Sequence, residues 1–532
     1  MPAAGPRPNI VAFIASSRWA QSLLLIAACA LIYGFGLGSG GLTRSEGHRV
    51  GPAWELLDAA AEPGGLTAGD LFVPRLFEAV YVRKPPGTPW AIAVSSAQFG
   101  EHEWGARLPS ALASTAMALV VMLFAWRWFG VPWGLAAGLA QAMSPWFWES
   151  GRSAEIEALH NLGAMLVCLG LIDRLVGRRE TPALWPVLAI AVGLALALAT
   201  KGPAAAPAFG GVLVGAGWLR WRTAQTERPP IGLGVLAVVI GAAAGAAVLW
   251  AEARLAIQLG QTGLPMVAQS PGAFLWNKPM QTLALGPTVW AMALPAALAL
   301  LFPWGPDARA EAEANDDERA VRRLALGLAL AWLTGVGVSV LAGISNPRYL
   351  LPVATLTAPM VAYVVRGVCL EAGGFGAKRR AIGRAMLLSN ASMRTPGVLW
   401  VVLLAAGFVA YLTAVERGVR ATSGREAGYA IAEVLPPGAV VLADAAVEAR
   451  PEIMLYAERA SGTDAGPRWL WAPSWDERVI ASADAGWVLI RTDAGGDERP
   501  VLERLGVPAD STPGWSGRVH LFDLELHALP PR

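Results

Sequence analysis

The chain has 532 residues, of which 55% are hydrophobic and only 15% charged, and its mean hydropathy is +0.45. Soluble domains carry about 25% charged residues, so this composition excludes a single soluble enzyme, a disordered chain and a nucleic-acid binder. The net charge of +2 hides a strong sorting, because residues 421–532 hold ten Arg, no Lys and seventeen Asp/Glu and the basic surplus lies upstream. A polytopic membrane protein fits these figures.

A membrane-crossing helix needs about 20 mostly apolar residues. In chain order this ruler predicts spans near 18–38, 108–126, 131–149, 159–176, 184–200, 204–219, 231–251, 286–303, 324–343, 348–366 and 397–415, eleven in all. The first run is long and lacks a clear small-residue cleavage site, so it reads as an uncleaved span. With the N-terminus in the cytoplasm, nineteen Lys/Arg fall in inner loops and five in the short outer ones. That asymmetry satisfies the positive-inside rule and leaves the C-terminal segment outside. Twenty-three Trp against seven Tyr suit membrane interfaces. Cys29, Cys168 and Cys369 lie in or beside apolar runs and read as small core residues.

Two stretches are not membrane. Residues 40–107 form a long first outer loop with amphipathic pieces. Residues 416–532 alternate helix-like runs (Arg425–Leu435, Glu452–Ala460, Arg499–Leu505) with strand-like runs (Ala439–Ala443, Trp487–Ile490, Val519–Leu526), the pattern of a small α/β domain. Between spans, Asp307–Arg323 reads as a solvated loop of mixed charge. The expected organisation is therefore a transmembrane module over 1–415 and an extracytoplasmic α/β domain over 416–532.

The polar residues that could do chemistry gather on the outer face. The first outer loop contains Ser45-Glu46-Gly47-His48-Arg49, then Arg83-Lys84-Pro85-Pro86-Gly87, and ends at Trp104-Gly105-Ala106-Arg107-Leu108-Pro109. The second carries Arg152, Glu155, Glu157 and His160, the third Thr200-Lys201-Gly202-Pro203, and the fifth Asn346-Pro347-Arg348-Tyr349. Charges at span ends are costly unless they face a cavity or each other. The chain uses only four Lys among 42 basic residues, and two of them, Lys84 and Lys201, sit in these outer Pro/Gly turns. A compact ammonium suits a phosphate. Each residue also has a plain structural alternative: Glu46 as a helix cap, Glu157 as a partner of Arg152, His48 and His160 as hydrogen-bonded core residues, and Lys84 and Lys201 as snorkelling interface residues. No His/Cys/Asp cluster has metal-ligand spacing, and no phosphate-binding glycine loop is present.

Taken in order, these motifs resemble the GT-C membrane glycosyltransferases, in particular the branch of the lipid A aminoarabinose transferase and the dolichyl-phosphate-mannose protein mannosyltransferases. The family carries an Asp-Glu pair, a Glu-Lys-Pro-Pro turn, a Trp-x-x-Arg-Leu-Pro segment, an Arg followed five residues later by a carboxylate, a Thr-Lys-Gly-Pro turn and an Arg-Tyr-Leu-Leu-Pro span start. The counterparts here are Ser45-Glu46, Arg83–Pro86, Trp104–Pro109, Arg152 with Glu157, Thr200–Pro203 and Arg348–Pro352. Two positions depart from the family: Ser45 stands in place of Asp, and Arg83 in place of Glu.

The resemblance implies a GT-C-like fold and transfer of a sugar from a polyprenyl-phosphate donor to a lipid, glycan or protein acceptor on the outer face of the cytoplasmic membrane. It implies Glu46 and Glu157 as catalytic carboxylates. Lys84, Lys201, Arg348 and Tyr349 would bind substrate, with His48, Arg49 and Arg152 in support. No cofactor or required metal is expected, although some relatives hold a divalent cation, and membrane lipid is the expected surrounding partner. The alternatives are a transporter or flippase of lipid-linked sugars and a catalytically degenerate GT-C scaffold.

Overall fold

The computed structural model describes residues 16–77, 79–177, 184–223, 231–258, 316–341, 347–369, 423–444, 450–462, 466–472, 485–492, 499–508, 511–519 and 522–530. The predicted spans at 286–303 and 397–415, together with Lys278 and Lys378, lie outside them. The chain divides into two compact units.

The first unit comprises Met1–Leu37, Val82–Thr88 and Arg107–Phe408. Six helical segments in the described residues are long and apolar enough to cross a membrane: Glu103–Phe129, Ile156–Val176, Leu184–Arg222, Gly232–Gln258, Asp316–Leu341 and Arg348–Arg366. This is a multi-pass membrane protein. Its helices meet through small residues. A Cβ on Gly211 would come within 2.2 Å of the Gly335 backbone, and one on Gly163 within 2.7 Å of the Gly193 carbonyl. Such close approach is the usual basis of helix association where lipid removes the hydrophobic driving force.

Two sequence expectations change here. The run at 131–149 is not one continuous helix but two, Val131–Ala142 and Pro145–Arg152. Ser144 is extended at φ −69°, ψ 119° because the ring of Pro145 disfavours helical geometry in the preceding residue. The two spans expected at 184–200 and 204–219, by contrast, appear as the helices Leu184–Lys201 and Ala206–Arg222, separated by a 3₁₀ turn at Gly202–Ala205. Finally, the charged stretch read as a loop up to Arg323 is helical from Asp316. Asp316, Asp317 and Glu318 sit in its first turn, where the helix dipole favours acids, and Glu318 pairs with Arg322 one turn on and with Arg366 at 2.6 Å.

The second unit comprises Gly38–Tyr81, Pro89–Ala106 and Val409–Arg532, so most of the stretch 40–107 packs with the C-terminal segment. A five-stranded sheet runs in the order Arg468–Ala472, Val440–Asp444, Trp487–Arg491, Phe522–Ala528, Trp515–Val519. The first three strands are parallel and the last two antiparallel. The helix Pro451–Ser461 lies in the crossover between Val440–Asp444 and Arg468–Ala472, as parallel pairing requires. One face of the sheet buries Leu442, Val488 and Ile490 against Val501, Leu502 and Leu505. The single strand expected at Val519–Leu526 is instead the junction of two antiparallel strands, with Val519 opposite Phe522.

The helix Arg44–Ala61, which carries Glu46, is held by this C-terminal segment. Gly47 sits so close to the Glu452 backbone that a Cβ would approach its nitrogen to 2.8 Å. The Tyr456 hydroxyl donates to Glu103 at 2.8 Å and accepts from the Leu42 amide at 2.7 Å. Arg459 pairs with Asp58 and Glu101 and stacks over Trp54. Partial burial raises the Glu101 carboxyl above its ordinary value, while Arg459 opposes that rise and Asp58 adds to it.

Candidate active site

The site in the first unit begins with two helix ends. The helix Ile156–Val176 starts after an extended Glu155, which places Glu157 in its first turn, where the helix dipole favours an acid. The helix Leu184–Lys201 ends at its cation, where the dipole favours a base. Gly202 takes φ +61°, the left-handed conformation that closes a helix, and Pro203 follows. The two ends meet: Lys201 Nζ lies 3.0 Å from Glu157 Oε1. Both residues are 7% exposed. A pair this buried costs much to desolvate and holds only where its geometry is good.

Around the pair stand the other motif residues of this unit. A 3₁₀ turn at Pro347–Leu350 brings the Tyr349 ring to 4.3 Å from Lys201 Nζ, a cation–π contact. The neighbouring Arg348 reaches Glu149 at 3.1 Å and Glu155 at 3.7 Å. Glu149, Glu155, Glu157 and Arg348 line an open cleft together with Trp146 and Leu351. The Lys84 turn packs onto the same helix end, since a Cβ on Gly87 would approach the Ala199 carbonyl to 2.6 Å. His160, one turn beyond Glu157, is 2% exposed and within electrostatic reach of Lys201, Glu157 and Lys84.

The structure therefore brings Lys84, Glu157, Lys201, Arg348 and Tyr349 to one end of the helices of one unit. Arg152 has a different setting: it is buried and donates through Nη1 to the Ile32 carbonyl at 2.9 Å, tying its helix to the first one. Arg107 of the Trp-x-x-Arg-Leu-Pro segment is a second such tie, donating to the Leu37 carbonyl at 3.0 Å.

Glu46, His48 and Arg49 belong to the second unit. Glu46 is fully buried and accepts from the Thr43 amide at 2.8 Å, closing a capping box with Thr43. His48 stacks on Tyr81 at 5.6 Å between ring centroids, and Arg49 donates to the Tyr81 hydroxyl at 3.3 Å. Arg83 is exposed.

The sequence reading passed over Glu149 and Trp146, because both were counted inside the apolar run at 131–149. Pro145 was the available signal. Among the described residues no group of three or more His, Cys, Asp or Glu is arranged to hold a metal ion.

Comparison with solved structures gives a full-length match. The crystal structure of ArnT from Cupriavidus metallidurans bound to undecaprenyl phosphate superposes with a TM-score of 0.63, at 16% identity, covering 96% of this chain and 98% of that one. This is the ArnT fold. Sequence comparison adds the dolichyl-phosphate-mannose-protein mannosyltransferase family, which matches residues 83–250. Two relatives are undecaprenyl phosphate-α-4-amino-4-deoxy-L-arabinose arabinosyl transferases. The one from Pseudomonas fluorescens is 29% identical over 229 residues, 42% of this chain and 37% of its own. The one from Pseudomonas savastanoi pv. phaseolicola is 31% identical over 116 residues, 22% of this chain and 20% of its own. These matches span between a fifth and two fifths of the relatives' length. The chain thus resembles the GT-C glycosyltransferases of the aminoarabinose transferase branch in fold and in motif order. Lys84, Arg152, Glu157 and Lys201 all fall inside the segment matched by the mannosyltransferase family.

Proposed function

We propose that the chain is an integral membrane glycosyltransferase that moves a sugar from a polyprenyl-phosphate donor to a lipid, glycan or protein acceptor. The observation that carries this reading is the buried Glu157–Lys201 pair at 3.0 Å, set at two helix ends within the matched segment. In the proposed step, the acceptor hydroxyl attacks the anomeric carbon and the bond from that carbon to the phosphate oxygen breaks. Glu157 takes the hydroxyl proton. The bonding electrons leave with the polyprenyl phosphate, whose charge is met by Lys201, with Lys84 and Arg348 in support. Tyr349 holds the Lys201 ammonium in place through its ring. Glu46 acts by fixing the loop helix, with His48 and Arg49 beside it, and Arg152 by anchoring the second outer loop. No step is assigned to a metal.

The proposal extends to topology. About eleven spans, a cytoplasmic N-terminus and an extracytoplasmic C-terminal α/β domain place the site at the outer face of the cytoplasmic membrane, where a lipid-linked donor keeps its tail in the bilayer. The charge asymmetry of the loops supports this orientation.

The test is transfer by the reconstituted chain from an undecaprenyl-phosphate-linked sugar. Glu157→Gln should insert normally and lose transfer, and normal transfer by that variant would overturn the assignment. Ser45 and Arg83, which replace two acids of the family motifs, favour a second reading as a catalytically degenerate scaffold. That reading predicts lipid binding by the wild-type chain without transfer. The transporter alternative predicts flux of the lipid-linked sugar across sealed vesicles with no covalent transfer.

A further inference from the structure

His160 is a buried group that the proposed step does not use. Its Nδ1 lies 3.2 Å from the Ala197 carbonyl oxygen. A carbonyl only accepts, so Nδ1 carries the proton and Nε2 of the neutral ring is a bare acceptor. Nε2 is buried and has no hydrogen-bond partner among the described residues. A buried polar atom without a partner asks for an explanation.

The ring is also held firmly. Ala197 precedes Lys201 by one turn, and His160 follows Glu157 by one turn, so the hydrogen bond and the ion pair join the same two helices at successive levels. The next level is the Gly163–Gly193 crossing, where backbones touch and no Cβ fits. The charged groups acting on the ring are Lys201, Glu157 and Lys84. Two of these, Lys201 and Lys84, are the proposed phosphate ligands, and the sugar of a bound donor is attached to that phosphate.

Resting on the proposed function, we infer that His160 is a sugar-binding residue whose Nε2 accepts a hydrogen bond from a hydroxyl of the donor sugar.

Two substitutions separate this role from a purely structural one. Asn places an amide N–H near the position of Nδ1 and supplies nothing at Nε2. Gln places an amide oxygen near Nε2. The experiment measures the affinity of the reconstituted full chain for undecaprenyl phosphate and for undecaprenyl phosphate-4-amino-4-deoxy-L-arabinose. His160→Asn should weaken the sugar-bearing lipid by about tenfold, the value of one hydrogen bond, and leave undecaprenyl phosphate bound as before. His160→Gln should recover most of that loss. Equal binding of the sugar-bearing lipid by His160→Asn and wild type overturns the inference. So does an equal loss for both lipids, a Gln variant no better than Asn, or a wild-type chain for which the sugar adds nothing to affinity. A wild-type chain that binds neither lipid overturns the proposed function as well.

Discussion

Glu157 and Glu46 are both carboxylates singled out by sequence motifs, both sit in the first turn of a helix, and both are buried. They differ in their partners. Glu157 meets a lysine from another helix, beside an aromatic ring and an open cleft. Glu46 turns back on its own helix and accepts from the amide three residues earlier. One carboxylate is placed by tertiary structure next to a charge that a substrate can take over. The other completes a local hydrogen-bond circuit. On the proposed assignment, burial and motif membership do not separate the reacting carboxylate from the structural one, and the lysine reached across a helix pair does.

The sharpest way to break this contrast is to compare the two Gln variants. Glu157→Gln should lower kcat for transfer by about 10²–10⁴, the usual contribution of a positioned general base. Glu46→Gln should lose far less, because Gln is also a capping-box residue at that position. Equal losses in the two variants would remove the distinction. A smaller but still large effect is expected from Gly87→Ala, which forces the Lys84 turn away from the Ala199 carbonyl. That variant should raise the Kd for undecaprenyl phosphate several-fold without lowering the Tm of the second unit.

Tyr456→Phe sharpens the other side of the comparison. It leaves the Leu42 amide without its hydroxyl acceptor and removes a bond to Glu103, so chemical denaturation of the second unit should show a loss of about 1–3 kcal/mol. The smallest effect is expected from Thr43→Ala, which opens the capping box from the other side. It should cost the loop helix about 1 kcal/mol, read as faster amide exchange over residues 44–61 with the Glu157 site unaffected.

Much of this was legible in the sequence wherever local chemistry decided the outcome. The Thr200–Pro203 turn reads directly as a helix stop, because Gly supplies the left-handed residue and Pro blocks continuation. The capping box is likewise visible as Thr43 followed three residues later by Glu46, although the family pattern drew attention to catalysis instead. What escaped was decided by tertiary packing or hidden by uniform hydropathy. The break before Pro145 lies inside an unbroken apolar run, so a length ruler passes over it. The strand Arg468–Ala472 went unread because its pairing comes from Val440–Asp444, about thirty residues earlier. The partnership of Glu157 with Lys201 joins residues 44 apart, and no spacing rule reaches across a helix pair.

The crossing of Ile156–Val176 with Leu184–Lys201 has a consequence for how such a chain adapts. On the second helix Leu184, Leu188 and Val192 are exposed, whereas Ala189, Gly193, Ala197 and Lys201 are buried. One face therefore meets the hydrocarbon, and its residues are free to drift with bilayer thickness and lipid composition. The opposite face is gauged at the Gly163–Gly193 crossing by backbone against backbone. The distance between the two charges is thereby insulated from the membrane that surrounds them, and lineages living in different lipids can alter the outside of the helix while the inside keeps its measure.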